Sequence, residues 1–113
     1  RLSLVGSEMC IRDRDINDYL QTYNISMAFM ACTGVTMKSG LTNASAEEYI
    51  TKKAIAENAN SMILLADHSK FGRISLMTYS SMEKLDAIVT DQPLPEEYDS
   101  FCQEHGIRVM TID

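Results

Sequence analysis

Four polar or charged side chains and a glycine follow one apolar run of this sequence within six positions. The run, Met62–Ala66, has the length and composition of a buried β-strand, and the segment after it reads Asp67-His68-Ser69-Lys70-Phe71-Gly72. An acid, a hydroxyl and a base so close together could hold an anionic, hydroxyl-rich ligand or take part in proton transfer. Ligands of open α/β sheets bind beyond the carboxyl ends of the strands. The competing interpretation is a polar turn that only ends the strand, because loops of this composition are common.

Two other predicted strands are also followed by polar residues. Residues 25–32 precede Thr33 and Gly34, and residues 86–90 end at Thr90, before Asp91. The carboxyl ends of parallel strands meet at one edge of a sheet, so we expect the three loops to lie together. The predicted ligand-binding residues of this edge are Thr33, Gly34, Asp67, Ser69, Lys70, Thr90 and Asp91.

These residue types suit an anionic, hydroxyl-rich ligand. The Lys70 ammonium would attract the anion as a point charge, and glycines let backbone amides approach it. Carboxylates and hydroxyls would pair with sugar hydroxyls. In the alternative interpretation the acids and Ser69 only cap their loops, and Lys70 is solvated.

The spacing of apolar residues predicts alternating helices and strands. Helices are predicted at 15–24, 45–58 and 95–105, strands at 25–32, 61–66, 74–79, 86–90 and 107–112, and a loop at 33–43. Near-continuous apolar strands between amphipathic helices indicate an α/β fold with a parallel sheet and helices on both faces. Ser45 and Glu48 have the spacing of a capping box, and Glu48 can pair with Lys52 one turn later.

Composition narrows the classes of function. The 113 residues carry a formal net charge of −6 and are 45% hydrophobic, which suits one globular domain. No apolar run approaches the roughly 20 residues that span a membrane. The acidic balance argues against this segment gripping nucleic acid. Three cysteines and two histidines show no metal-binding spacing, so we predict no metal, no cofactor and a reducing, cytoplasmic setting.

The first residues do not resemble the rest. Residues 4–14 resemble the in-frame translation of a transposon-end adapter that is used to prepare sequencing libraries. We therefore predict that residues 1–14 are a non-native segment and that residues 15–113 form a partial domain that begins inside a fold.

Several short motifs occur in the order and spacing of a known family. They are Cys32-Thr33-Gly34-Val35, Gly40-Leu41-Thr42, a helix with Glu47-Glu48 and Lys52-Lys53, the segment Asp67–Gly72, and Thr90-Asp91. With them, residues 17–113 resemble the effector-sensing domain of DeoR-type transcriptional repressors of sugar metabolism. The resemblance implies a fold akin to ribose-5-phosphate isomerase and CoA-transferase domains (the ISOCOT fold). It also implies a phosphorylated sugar or sugar alcohol as effector, and homo-oligomers that release DNA when they bind it.

The family pattern also ranks the candidate residues. Lys70 matches the lysine of the family motif and is the first choice for contacting the effector. Gly40, Glu48 and Lys52 match the pattern as well, but for the last two a surface or structural ion pair is the preferred interpretation.

The sequence also departs from the family in two places. The family's amino-terminal helix-turn-helix and its early Asp-Gly-(Thr/Ser)-Thr loop are absent, so we expect a carboxyl-terminal piece, truncated at its amino terminus. Such a piece should neither bind DNA, which is the role of the absent helix-turn-helix, nor hold effector tightly alone.

Two other functions stay open. The first is a fragment of an enzyme of the same fold, such as a sugar-phosphate isomerase or CoA-transferase, in which Lys70 near Asp67 serves acid–base chemistry. An isomerase would need further paired carboxylates and a glycine-rich loop beside the lysine, which the sequence does not offer, so we predict that the chain is not an enzyme. The second is a structural oligomerisation unit with a relic pocket.

Overall fold

The computed structural model describes residues 24–112, which form seven strands, two α-helices and two short 3₁₀ turns. The strands are β1 (Ile25–Met30), β2 (Gly34–Thr36), β3 (Gly40–Asn43), β4 (Ala59–Leu65), β5 (Met77–Ser80), β6 (Ala87–Thr90) and β7 (Arg108–Thr111). The helices are α1 (Ala46–Asn58) and α2 (Glu96–His105), and the 3₁₀ turns are His68–Lys70 and Met82–Lys84. The segment 1–14 and the helix predicted at 15–24 lie outside the described residues, apart from Asn24, which precedes β1.

The main sheet is parallel and has the strand order β1-β4-β6-β7. One row of the register runs across all four strands through Met30, Leu64, Ile88 and Val109. The apolar runs that predicted strands at 25–32, 61–66, 86–90 and 107–112 all pair here. The prediction of an α/β fold with a parallel sheet flanked by helices is therefore confirmed.

The core lies between one face of this sheet and the two described helices. Ile55 of α1 and Cys102 of α2 belong to the same buried cluster as Leu64 and Ile88. Alternate strand residues point to the other face. That face carries large apolar side chains that are about two-fifths exposed, namely Met27, Phe29, Leu65 and Met110. The helices α1 and α2 therefore cover one face of the sheet, and the helices predicted on its other face are not found among residues 24–112.

Local signals explain where the helices begin and end. Ser45 caps α1, and its hydroxyl accepts a bond from the Glu48 amide at 3.3 Å. The return half of the predicted capping box is wrong, because the Glu48 carboxylate bonds Asn43 and faces Lys52 instead. The helix α2 follows Pro95 and ends at Gly106, which adopts the left-handed conformation at φ 68°.

A second, antiparallel sheet with the order β2-β3-β5 corrects the prediction of a loop at 33–43. The segment forms a hairpin whose strand β3 begins at Gly40, where φ is 79°. Thr42 is buried, and its hydroxyl donates a hydrogen bond to Gly34 O at 2.8 Å, so this donor has a partner inside the protein. The strand predicted at 74–79 is also displaced, since β5 covers Met77–Ser80 and leaves Ile74 and Leu76 exposed.

Within residues 24–112, neither helix has the length and apolar character that a membrane crossing requires.

Candidate functional site

The loops that follow β4 and β6 lie side by side at the carboxyl edge of the parallel sheet. The backbone amide of His68 donates to Asp91 Oδ1 at 2.7 Å, and His68 Nδ1 lies 2.9 Å from Asp91 Oδ2. One carboxylate thus holds both the backbone and the ring of the histidine. The hydrogen bond from His68 is also the main reason that the pKa of Asp91 is lowered, since it stabilises the ionised carboxylate.

The first of these loops is organised by Asp67. This residue caps the 3₁₀ turn, and its carboxylate accepts bonds from the backbone amide of Ser69 at 2.8 Å and from the Ser69 hydroxyl. Lys70 Nζ lies 3.3 Å from its second oxygen. The hydroxyl bond is the largest of the causes that lower the pKa of Asp67 to about 2. Both carboxylates of the edge are therefore engaged in holding the loop after β4: Asp67 from within that loop and Asp91 from the loop after β6.

An open cavity of about 280 Å³ lies against these loops. Its lining comprises Leu65, Ala66, Asp67, Val89, Thr90, Asp91 and Ile112. Three predicted site residues share this wall: Asp67, Thr90 and Asp91. Thr90 is buried and its hydroxyl lies 3.4 Å from Asp91 Oδ1.

Lys70 is an accessible cation at this edge. Its side chain is 31% exposed, and within residues 24–112 its ammonium has one partner, Asp67. An ammonium carries three donors, so two remain for a ligand. Lys70 is not part of the cavity lining, but the carboxylate that it contacts is.

The loop after β1 is tied to the hairpin. The Thr33 amide donates to Thr42 O at 2.9 Å, and the exposed Thr33 hydroxyl lies 3.4 Å from Asn43 Oδ1. Gly34 is buried against Arg73, so closely that a Cβ at this position would overlap the Arg73 carbonyl. Gly72 donates its amide to Val35 O at 2.9 Å. The hairpin and the loop Asp67–Gly72 therefore meet at these two glycines.

Lys52 lies beneath the loop after β1, and its side chain is only 6% exposed. Its ammonium donates to Ala31 O at 2.9 Å and Asn43 Oδ1 at 3.0 Å, and it lies 3.5 Å from Glu48 Oε1. The three donors of the ammonium are thus used within the protein. The predicted pair between Glu48 and Lys52 forms, as one part of a buried network.

Cys32 is a buried residue that lies just after β1. Burial raises the pKa of its thiol to about 11, and the charges of Lys52 and Lys70 both act against that rise. The thiol therefore stays protonated at neutral pH.

The structure also separates some predicted residues and adds others. Gly40 lies at the far end of the hairpin from Gly34, against Ser80, and its close approach there has a structural explanation. Asn43 and Tyr79 were not singled out from the sequence, yet both contact the Lys52 network. No sequence signal marks them, because their partners lie on other elements. Among the described residues, no cluster of three or more potential metal ligands occurs.

The chain is similar in sequence to a known protein family and to several transcriptional regulators. The DeoR C terminal sensor domain family matches residues 4–92. The chain is 51% identical over 90 residues to the HTH-type transcriptional regulator IolR of Bacillus subtilis (strain 168), covering 80% of this chain and 36% of that protein. It is 30% identical over 114 residues to the Glycerol-3-phosphate regulon repressor of Escherichia coli (strain K12). That alignment covers 96% of this chain and 45% of the repressor.

A third relative is the L-fucose operon activator of Haemophilus influenzae, 26% identical over 98 residues, with 86% of this chain and 39% of that protein covered. The chain thus spans between about a third and a half of the length of these curated relatives. The family match begins at residue 4 and so includes part of the segment predicted to come from an adapter. The origin of that segment stays a prediction.

Proposed function

Because this chain belongs to the DeoR C terminal sensor domain family, we propose that it is the effector-sensing part of a transcriptional regulator of sugar metabolism. We propose a phosphorylated sugar or sugar alcohol as the effector, with Lys70 contacting its anionic group. The names of the relatives support this class, since they include a Glycerol-3-phosphate regulon repressor and an L-fucose operon activator.

One observation carries the assignment of the site. Lys70 is a solvent-accessible cation with two unused donors at the carboxyl edge of a parallel sheet, where ligands of such sheets bind. Thr33, Ser69, Thr90 and the carboxylates of Asp67 and Asp91 are the proposed polar contacts for the sugar. Gly34 is proposed to bring the backbone close to it.

The other properties of the protein follow from this role. An acidic chain of net charge −6 is a poor partner for DNA, so we propose that DNA is bound by another part of the regulator, acting as a homo-oligomer. Relatives that are all named as regulators favour a sensor over an enzyme. The two cysteines that the structure describes are free, which suits the cytoplasm.

A thermal-shift panel tests the proposal. It contains glycerol 3-phosphate, ribose 5-phosphate, fructose 1-phosphate, fructose 6-phosphate and glucose 6-phosphate, each beside its unphosphorylated counterpart. The measurement uses the 113-residue chain and the complete gene product, because the relatives are more than twice as long. A compound that binds only the folded state raises Tm.

We expect at least one phosphorylated compound to raise Tm without being converted, and its unphosphorylated counterpart to have no effect. Lys70→Ala should abolish the shift. The matched control is Lys84→Ala. It removes the same charge from an exposed position before the amino end of β6, at the opposite edge of the sheet. A panel with no shift at all contradicts the sensor, and conversion of a compound indicates an enzyme.

A further inference from the structure

The carbonyl oxygen of Ala31, the first residue after β1, accepts two side-chain hydrogen bonds. Lys52 Nζ donates to it at 2.9 Å, and the hydroxyl of Tyr79 donates to it at 2.7 Å. These donors come from α1 and β5, which are far from Ala31 in the sequence. A carbonyl has two lone pairs, so this one is fully satisfied inside the protein.

Three buried polar residues form the network around this carbonyl. Counted over the whole residue, Asn43 is 4%, Lys52 5% and Tyr79 4% exposed. The Lys52 ammonium lies 5.7 Å from the centre of the Tyr79 ring, which adds a cation–π contact. Burial raises the pKa of Tyr79, so its hydroxyl remains a hydrogen-bond donor across the physiological range. Each member therefore has a defined partner and a fixed orientation.

The network extends to the proposed effector site through Asn43. The side-chain amide oxygen of Asn43 accepts a hydrogen bond from Lys52 Nζ at 3.0 Å and lies 3.4 Å from the Thr33 hydroxyl. Residues 31–33 are thus held at two points. Lys52 and Tyr79 bind the carbonyl oxygen of Ala31, and Asn43 contacts the side chain of Thr33. Thr33 itself is exposed at the edge.

From this geometry we infer that Asn43, Lys52 and Tyr79 are positioning residues of the effector site. They fix residues 31–33 so that Thr33 and Gly34 stand in a defined place beside the end of the loop Asp67–Gly72, where Gly72 bonds Val35. Lys52 acts through the carbonyl of Ala31 and through Asn43, because its donors are already used. The inference rests on the proposed function and assigns roles to Asn43 and Tyr79, which the family motifs do not include.

Tyr79→Phe is the sharpest test, because it deletes one hydroxyl and keeps the ring that packs in the core and faces Lys52. The control is Tyr49→Phe, which deletes a half-buried hydroxyl with no hydrogen bond among the described residues. Both are made in the complete gene product and in the 113-residue chain. Dissociation constants for the five phosphorylated compounds are measured by calorimetry. Amide hydrogen exchange is followed at Thr33, whose amide bonds Thr42, and at Ala66, whose amide bonds Val89.

We expect Tyr79→Phe to weaken binding about fivefold, the effect of one lost hydrogen bond, and to speed exchange at Thr33 but not at Ala66. Tyr49→Phe should change neither. Unchanged binding in Tyr79→Phe overturns the inference, and so does faster exchange at both amides, which marks a general loss of stability. If the wild-type protein binds none of the five compounds, the proposed function fails first and the inference falls with it.

Discussion

The two lysines of the candidate site, Lys52 and Lys70, differ in almost every physical respect. The side chain of Lys52 is 6% exposed, and its ammonium contacts a backbone carbonyl, an asparagine and a glutamate. Lys70 is 31% exposed and has one partner, the carboxylate of Asp67. A saturated, buried cation holds structure, whereas an accessible cation with unused donors can meet a ligand. Matching a family motif does not separate these two roles, but the hydrogen bonds do.

The largest expected effect follows from the buried lysine. Lys52→Met keeps the bulk of the side chain but removes the ammonium, which leaves Asn43 Oδ1 without its strongest donor and Ala31 O with Tyr79 alone. We expect the free energy of unfolding to fall by about 3 kcal/mol, because buried acceptors lose charged donors. Urea denaturation measures the change. The control is Lys53→Met, the exposed neighbour on the same helix, with an expected change within about 0.5 kcal/mol. A loss below about 1 kcal/mol in Lys52→Met would show that the network adds little.

The next effect concerns the contact between the hairpin and the loop of Lys70. Gly34→Ala places a Cβ against the backbone of Arg73, and we expect a loss of about 2 kcal/mol, as for other overpacked sites. The comparison variant is Gly72→Ala, which meets no atom but must hold φ at 92°. That strain costs about 1 kcal/mol. No loss of stability in Gly34→Ala would mean that the close approach at Gly34 relaxes freely.

A smaller effect belongs to the exposed loop. Its fold lowers the pKa of Asp67 to about 2, chiefly through the Ser69 hydroxyl. Since the folded pKa lies below the unfolded one, this carboxylate stabilises the fold above about pH 4, and the stabilisation is lost as pH falls toward 2. Ser69→Ala should raise the pKa of Asp67 toward its ordinary value, as measured by carboxyl NMR titration. The pKa of Asp91, which depends mainly on His68, should not move. An unshifted Asp67 in Ser69→Ala would assign the lowered pKa to another cause.

The sequence predicted the elements whose signals are local. Ser45 caps its helix, Gly106 ends the last one, and the apolar runs give parallel strands. These features depend on residues that are neighbours in the chain. The hairpin at 34–43 was missed because strands of three and four residues contain too few positions to show a period, and because Thr42 is buried through a hydrogen bond rather than through apolar character.

The candidate site divides in the same way. The loop from Asp67 to Lys70 was visible because its polar residues directly follow an apolar strand. The burial of Lys52 could not be predicted, because its partners come from distant parts of the chain. Ala31, whose carbonyl oxygen accepts from Lys52, is 21 positions from Lys52, and Tyr79, which donates to the same oxygen, is 48 positions from Ala31. Networks that assemble from several distant elements leave no pattern in the order of residues. Only the geometry of the fold shows which lysine is free.

The smallest effect on stability is the most informative about function. Lys70→Met removes an exposed ion pair with Asp67, and such pairs contribute little, so the free energy of unfolding should change by at most about 0.5 kcal/mol. In the same variant, binding of the phosphorylated compound that raised Tm in the wild type should be lost. Urea denaturation and calorimetry on one preparation measure both quantities. Replacing a ligand-binding lysine should lower the affinity for the ligand and leave the stability of the protein unchanged. Lys52→Met, in contrast, should mainly lower the stability. If Lys70→Met instead lost stability as Lys52→Met does, the distinction between the two cations would fail, and Lys70 would be a structural residue of its loop.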